Sequence, residues 1–433
     1  MTEYDPYSPE YKKDPYPAWA ELRAKCPVHH YRLSGVDVNK LSSNPLVARP
    51  TEEFWTLSRY DDVLDILQDT KRFSRKEGPG PERLMALNED GMLLYADDPA
   101  HLVQRRLVTK AFTPRHVEMI KPRIQAIADD LIDQIGPWGE AELMEDFAVP
   151  MTIRVLASVV GAGEDRIDDL WRWGNDTVNA FGGGEGAAEK GFVAMMELFQ
   201  FLMEIVNERR DMLSRGIDPP DDVLTALITA EHEGQKFTDE EILMSAQQLF
   251  TAGFETTSTA TCNGIYRLCT HPAERAKLEA DWSLLDQAVE EIFRYDAPVD
   301  GLFVTTKEPV EIAGCPIPAG AKVRFLYASA NRDETHFSDA SEFRIDRDPL
   351  ETRRHLTFGH GNHSCVGSAL ARAELRAGLK TLLTRLPGLH LDPSRGRERH
   401  PSFIVNGFFV LPIAWNPVTV RPAADQATAA TPS

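Results

Sequence analysis

Cysteine is scarce and scattered in this chain. The five thiols among 433 residues, Cys26, Cys262, Cys269, Cys315 and Cys365, form neither a CxxC pair nor a zinc-like spacing, which argues against a disulfide framework or a structural zinc site. At least four of them are expected to be plain buried thiols of a reducing compartment. Positive charge is in deficit as well: 47 Lys and Arg face 67 Asp and Glu, for a formal net charge of -20. So acidic a chain is repelled by phosphate backbones and anionic lipid surfaces, so neither nucleic acid nor membrane is an expected partner. The opening stretch, MTEYDPYSPEYKKDPYPAW, has neither the basic start and apolar run of a secretory leader nor an anchor of about 20 apolar residues. A cytoplasmic protein is expected. Also missing are internal repeats, a flexible hinge between self-contained halves, and any flavin or iron–sulfur motif. What remains is ordinary globular material, 42% hydrophobic and 26% charged, enough for one large domain over residues 1–421 in a monomer. Residues 422–433, rich in Ala, Thr and Pro without periodic apolar positions, read as a mobile tail.

Helical periodicity dominates the first two-thirds. Apolar residues recur at three- and four-residue spacing over 60–68, 100–111, 122–135, 151–160, 191–213 and 222–231. Strands are few: 54–58 reads as one, and 310–313 and 322–328 as two others, joined through Gly314 and the turn-prone Pro318-Ala319-Gly320. The Gly-, Pro- and charge-rich segment 74–91 reads as a long loop of the kind that lines a binding site. The sharpest helix start is Thr238, where Thr238-Asp239-Glu240-Glu241 spells a capping box and Phe237 can staple against Ile242. That helix runs to about His271-Pro272, roughly 30 residues and on the order of 45 Å. It must be largely buried, yet its middle reads Phe250-Thr251-Ala252-Gly253-Phe254-Glu255-Thr256-Thr257. An acid and hydroxyls at the centre of a buried helix need a chemical reason.

The strongest chemical signal is Phe358-Gly359-His360-Gly361-Asn362-His363-Ser364-Cys365-Val366-Gly367, followed by a helical stretch from Ser368. A cysteine just before a helix start meets free backbone N–H groups and the positive end of the helix dipole, which favour a thiolate. A stabilised thiolate is what a haem iron needs as an electron-donating axial ligand.

This string resembles the haem-binding loop of the cytochrome P450 family, with Cys365 as iron ligand and Phe358, Gly361 and Gly367 shaping the loop around the cofactor. Other segments agree in the right order. Glu291-Ile292-Phe293-Arg294, about 70 residues before the cysteine, resembles the family's ExxR motif, and the segment 343–347 resembles the one that supplies Arg347 to close a buried triad. The stretch from Asp97 through His101, Arg105 and Pro114 resembles the helix beside the haem edge. His101 and Arg105, four apart and so on one side, are expected to reach the haem propionates, with His363 as a third donor. The middle of the long helix resembles the oxygen-activating motif: Ala252 and Gly253 would allow close approach to haem, and Glu255 and Thr256 would form the acid–alcohol pair that supplies protons. One departure stands out. Where many members carry an arginine in the strand after the ExxR helix, as a further propionate donor, this chain has Val304.

The resemblance covers about 54–384. It implies a mainly α fold with a small β region, the family's triangular helical domain around haem b (iron protoporphyrin IX). It further implies hydroxylation, or a related oxidation, of an apolar small molecule with O2 and electrons from NAD(P)H through a ferredoxin and its reductase. Two rivals share the loop: a peroxygenase driven by hydrogen peroxide, which needs the acid–alcohol pair less, and a non-catalytic haem sensor, which would have no use for it. Expected pocket walls are 85–94, Leu249 and Ala252, 299–303 with Val299 and Leu302, and 403–408 with Phe408. They are apolar and free of Lys and Arg, which suits a neutral terpenoid, steroid-like or fatty substrate. Arg106, Lys110, Arg115 and Arg372 fall in segments expected on the cysteine face and would attract an acidic ferredoxin.

Overall fold

The computed structural model describes residues 4–32, 48–49, 51–81, 83–84, 92–111, 113–182, 187–400, 402 and 404–418. The tail 422–433, and positions 85–91 and 403 of the expected pocket walls, lie outside the described residues. The helices that position the site are α1 (Ala100–Ala111), α2 (Pro114–Ile135), α3 (Val149–Val160), α4 (Ile167–Gly182), α5 (Ala187–Ser214), α6 (Asp239–Thr270), α7 (Leu285–Tyr295) and α8 (Ser368–Arg385). None of the helices among the described residues is long and apolar enough to cross a membrane.

Helix α6 is the axis of the molecule. At 32 residues it runs about 48 Å and touches α3, α4, α5, α7 and α8. The expected capping box is present: Thr238 Oγ1 accepts from the Glu241 N–H at 3.2 Å while Glu241 Oε2 accepts from the Thr238 N–H at 2.8 Å. The helix stops at Thr270 because His271, which precedes Pro272, is pushed out of helical backbone (φ -124, ψ 72). Three of its hydroxyls are satisfied by the helix itself, whereas those of Ser245 and Thr259 are buried without a partner among the described residues. Thr256 donates to the Ala252 carbonyl at 2.8 Å, Ser258 to Phe254 at 2.9 Å and Thr261 to Thr257 at 3.1 Å, avoiding the roughly 1–3 kcal/mol cost of a buried unpaired polar group. Phe147, Ile153, Phe250, Ile265, Ile292 and Leu379 belong to the large core around this helix.

Strands β1 (Val28–Arg32), β2 (Glu53–Leu57), β3 (Phe73–Ser74), β4 (Leu302–Thr306) and β5 (Lys322–Phe325) form one sheet in the order β1-β2-β5-β4-β3. Only β2–β5 is parallel. A second core, with Trp55, Leu57, Phe325 and Phe337, lies against it. Strands β6 (Glu398–Arg399) and β7 (Phe408–Val410) pair antiparallel as a hairpin near the C-terminus.

Several expectations are corrected in detail. The helix expected from Pro122 begins at Pro114, where Thr113 caps it by accepting from the His116 N–H at 3.3 Å; Pro122 sits inside. The strand expected over 322–328 ends at Phe325 and turns into a short helix, Tyr327–Ala330, while Val310–Ile312 pairs with Cys315–Ile317 rather than with β5. Helix α4 is absent from the sequence expectations although Ile167, Leu170 and Trp173 give it an apolar stripe; that stripe packs along α5.

Candidate functional site

The cysteine loop is built on two glycines in left-handed backbone, Gly359 (φ +68) and Gly361 (φ +70), and a Cβ at Gly361 would lie 3.1 Å from the Leu67 carbonyl oxygen. The Cys365 N–H closes the loop onto the Phe358 carbonyl at 2.7 Å. The Cys365 side chain is accessible, yet protein surrounds it closely enough that burial pushes its thiol up. Against burial act the backbone N–H groups of Gly367 and Ser368, at the start of α8, and the Arg105 and Arg372 guanidinium groups. The helix start therefore favours the thiolate as expected, while burial opposes it; a bound cation would complete the deprotonation. Beneath the sulfur, Phe358 packs edge-on against Phe293 at 4.7 Å, and the Arg372 guanidinium covers its ring at 4.3 Å.

Helix α1 faces this loop. Arg105 Nη2 donates to Ser364 Oγ at 3.0 Å, and its Nη1 bonds the Ser364 carbonyl. His101 is fully buried and stacks on His363, with ring centroids 3.8 Å apart. Asp98 Oδ1 lies 3.4 Å from His101 Nδ1, but neither ring nitrogen has an aligned hydrogen bond. Burial pushes His101 down; burial, with Arg75, His101 and Arg105 nearby, pushes His363 down to about 2. Both imidazoles are thus neutral, each with one N–H to offer.

Arg75 completes the group and was missed in the sequence. Because Phe73 pairs with Thr306 and Ser74 with Thr305, the next residue of that strand, Arg75, comes beside Val304, the position that lacks the family's arginine. It is buried, lines one small cavity with Val304, His363 and Asp98, and lies over the Phe325 ring at 5.6 Å. Its guanidinium has no hydrogen bond or ion pair among the described residues. A buried cation whose guanidinium makes no hydrogen bond among the described residues, beside two orphaned imidazole nitrogens, suits an anionic group. A haem, with two carboxylates and a thiolate-seeking iron, fits this set of donors.

On α6, Thr256 makes the expected bond to the Ala252 carbonyl, and Ala252 and Glu255 share its face of the helix. Glu255 Oε1 lies 2.7 Å from His400 Nε2 in the C-terminal hairpin. Gly253 turns elsewhere: a Cβ there would lie 2.9 Å from Leu156 Cδ2 of α3, so its missing side chain serves helix packing, not approach to a cofactor.

The Glu291 carboxylate is held bidentately by Arg294, Nε and Nη2 each at 2.7 Å, and by Arg347 Nε at 3.3 and 3.4 Å. Arg294 also donates to the carbonyls of Asn331, Ala340 and Glu342. Asn331 links this triad to the cysteine loop: its amide donates to Thr357 Oγ1 at 2.8 Å and accepts from the Leu356 N–H at 2.6 Å.

The family model described as Cytochrome P450 matches residues 185–412, more than half of the chain. The Cytochrome P450 monooxygenase PikC of Streptomyces venezuelae is 37% identical over 94% of this chain and 92% of its own. The chain belongs to the cytochrome P450 family. A Steroid C26-monooxygenase of Mycobacterium tuberculosis is 31% identical, over 87% of this chain and 99% of its own. Among solved structures, cytochrome P450 CYP109Q5 from Chondromyces apiculatus aligns with TM-score 0.82 and 33% identity, covering 96% of this chain and 99% of that one. CYP109E1 from Bacillus megaterium in complex with testosterone aligns with TM-score 0.79 and 29% identity, covering 93% and 99%.

This P450 is therefore a monooxygenase of a haem-iron family. Three of its expected site residues take positions other than those anticipated. Besides Gly253, Phe408 is buried with its ring 4.4 Å from Tyr266, eleven residues and about 16 Å along α6 from Glu255, so it serves the core and is no pocket wall. Arg372 is no free docking charge: it pairs with Glu290 at 2.9 Å. Arg106 and Lys110 are exposed but also engaged, with His232 and the Glu231 carbonyl. Val299 does meet the C-terminal segment, bridging to Val405, while Leu249 and Leu302 are half-buried.

Proposed function

We propose that this P450 inserts one oxygen atom from O2 into a large, neutral, apolar molecule of steroid-like or macrocyclic shape, with electrons from NAD(P)H delivered by a ferredoxin and its reductase in the cytoplasm. The observation that carries the reading is the cysteine loop at the head of α8, with Cys365 set among two backbone N–H groups and two guanidinium groups. Haem b, when bound, supplies the activation of dioxygen. Cys365 would ligate its iron, and Arg75, His101 and His363 would meet its carboxylates, with Arg105 fixing the loop between them. Thr256 and Glu255 would supply the protons: the Thr256 hydroxyl, whose hydrogen is given to the Ala252 carbonyl, would be the donor beside the cofactor, and Glu255 would restore its proton from solvent. The substrate class is supported by relatives named 6-deoxyerythronolide B hydroxylase, Steroid C26-monooxygenase and Vitamin D(3) 25-hydroxylase, and by the apolar Val299 wall.

The test is NADH consumption with a ferredoxin and reductase, in the presence of ligands chosen from steroid, macrolide and fatty-acid libraries by their shift of the Soret band. Turnover that needs both electron proteins supports the reading; equal turnover with hydrogen peroxide alone would favour a peroxygenase. In Thr256→Ala, NADH consumption should persist while product per NADH falls roughly tenfold, the low end of what a positioned proton donor contributes. Unchanged coupling removes Thr256 from the proton path.

Arg75→Leu should leave the fold intact and loosen the cofactor. Losing one charge-assisted contact costs about 1.5–3 kcal/mol, so haem transfer to excess apomyoglobin should run at least roughly tenfold faster. Transfer at the wild-type rate would show that Arg75 does not touch the cofactor.

A further inference from the structure

The acid of the proton-delivering pair does not stand alone. The Glu255 carboxylate is mostly buried, and His400 Nε2 lies 2.7 Å from its Oε1. The contact is short but off-line, a close charge–dipole pair and not an aligned hydrogen bond; catalytic hydrogen bonds commonly tighten only when the site is loaded. The imidazole is itself held. The Ser402 N–H donates to His400 Nδ1 at 3.1 Å, and Ser402 Oγ accepts from the N–H groups of Ile404 and Val405 at 3.2 and 3.4 Å, which fixes the turn. Since Nδ1 is an acceptor, the ring proton sits on Nε2, the nitrogen beside the carboxylate.

The hairpin that carries His400 is clamped to the same helix. A Cβ at Gly407 would lie 2.2 Å from Thr259 Cγ2, and the Asn263 amide donates to the Asn406 carbonyl at 2.9 Å. Thr259 and Asn263 are one and two turns beyond Glu255 on one stripe of α6. The His400 N–H in turn bonds the Gly407 carbonyl at 2.9 Å, and the Phe409 ring stands edge-on to the imidazole at 5.6 Å. Main chain, helix and ring thus converge to hold Nε2 beside the acid.

We propose that His400 is a positioning residue of the oxidation reaction: its Nε2–H holds the Glu255 carboxylate at the seam between α6 and the C-terminal hairpin, from which the acid serves Thr256. The inference rests on the proton-delivery role of Glu255 given above. With Nδ1 committed to Ser402, the ring anchors the acid and does not itself carry protons through.

The test compares Glu255→Gln, His400→Leu, His400→Gln and the Glu255→Gln/His400→Leu double variant. NADH oxidation is driven by a ferredoxin and reductase in H2O and in D2O, without added substrate, so that the unidentified substrate plays no part. Glu255→Gln and His400→Leu should each slow the reaction roughly tenfold and change its solvent isotope effect. The double variant should be no slower than Glu255→Gln alone, because both act through one carboxylate. His400→Gln, whose amide can donate to the same oxygen, should recover most of the rate. Rates that multiply to roughly a hundredfold loss, or His400→Leu at the wild-type rate while Glu255→Gln is slow, would overturn the role of His400 alone. Glu255→Gln at the wild-type rate would overturn the acid role and this inference together. If His400→Leu does not fold, His400→Gln and the nitrogen-15 resonances of the His400 ring in the diamagnetic ferrous–CO form decide: an Nδ1–H tautomer or an imidazolium contradicts the proposal.

Discussion

Cys365→Ala is expected to abolish the red-shifted ferrous–CO band that marks thiolate ligation, and Cys365→His to replace it with the band of an imidazole-ligated haem. No other thiol can take over. Cys262 is fully buried in α6, with its thiol pushed well up by burial; Cys269 lies beside Arg275; Cys26 and Cys315 belong to the β-sheet side of the molecule. Only Cys365 stands in a loop whose backbone was turned, by Gly359 and Gly361, to put a sulfur at a helix start. The effect is all or none because ligand identity, not loop stability, sets the band. Either variant keeping the full band would remove Cys365 from the iron.

Glu291→Gln should be the most damaging single change to the fold. Arg294 and Arg347 are 0% and 2% exposed, and the substitution takes away their shared counter-charge, leaving Arg294 with no carboxylate and Arg347 with Glu351 alone, at 3.0 Å. Breaking a buried pair by removing one partner costs about 3–5 kcal/mol, against a whole stability of about 5–15 kcal/mol. Through Asn331 the damage reaches Leu356 and Thr357, immediately before Phe358, so haem content should fall along with melting temperature. Arg347→Leu should be milder, because the bidentate Glu291–Arg294 pair survives it. Calorimetry and the ratio of Soret to protein absorbance on both variants would check this; a Glu291→Gln protein melting within a degree or two of wild type contradicts it.

What the sequence made legible was local. The capping box at Thr238 and the proline after His271 delimit α6 to the residue, because both ends are decided by atoms within four positions of the boundary. The triad followed from a family resemblance and from the one-turn spacing of Glu291 and Arg294, and the 2.7 Å contacts agree with it. What stayed hidden was set by pairing between distant segments. Arg75 matters only because a two-residue strand pairs with β4 more than two hundred positions later, and no periodicity in so short a strand announces its register. His400 is equally silent: a lone histidine in a turn reads as surface until the hairpin is seated on Thr259 and Asn263. Arg372 failed in the opposite direction, since a charge that looked free by sequence meets Glu290 of α7. Phe408 looked like a pocket wall by proximity in the chain, but its strand carries it along α6 to Tyr266.

The placement of Arg75 against Val304 also bears on how such chains are compared. Two neighbouring strands share one wall, so a cation deleted from one column of an alignment can be restored from another without altering the charge of that wall. A catalogue that scores ancestry column by column records a loss at Val304 and an unremarkable arginine at Arg75. Counted by the surface they share, the two positions are one wall, to which Arg75 brings the positive charge that Val304 does not.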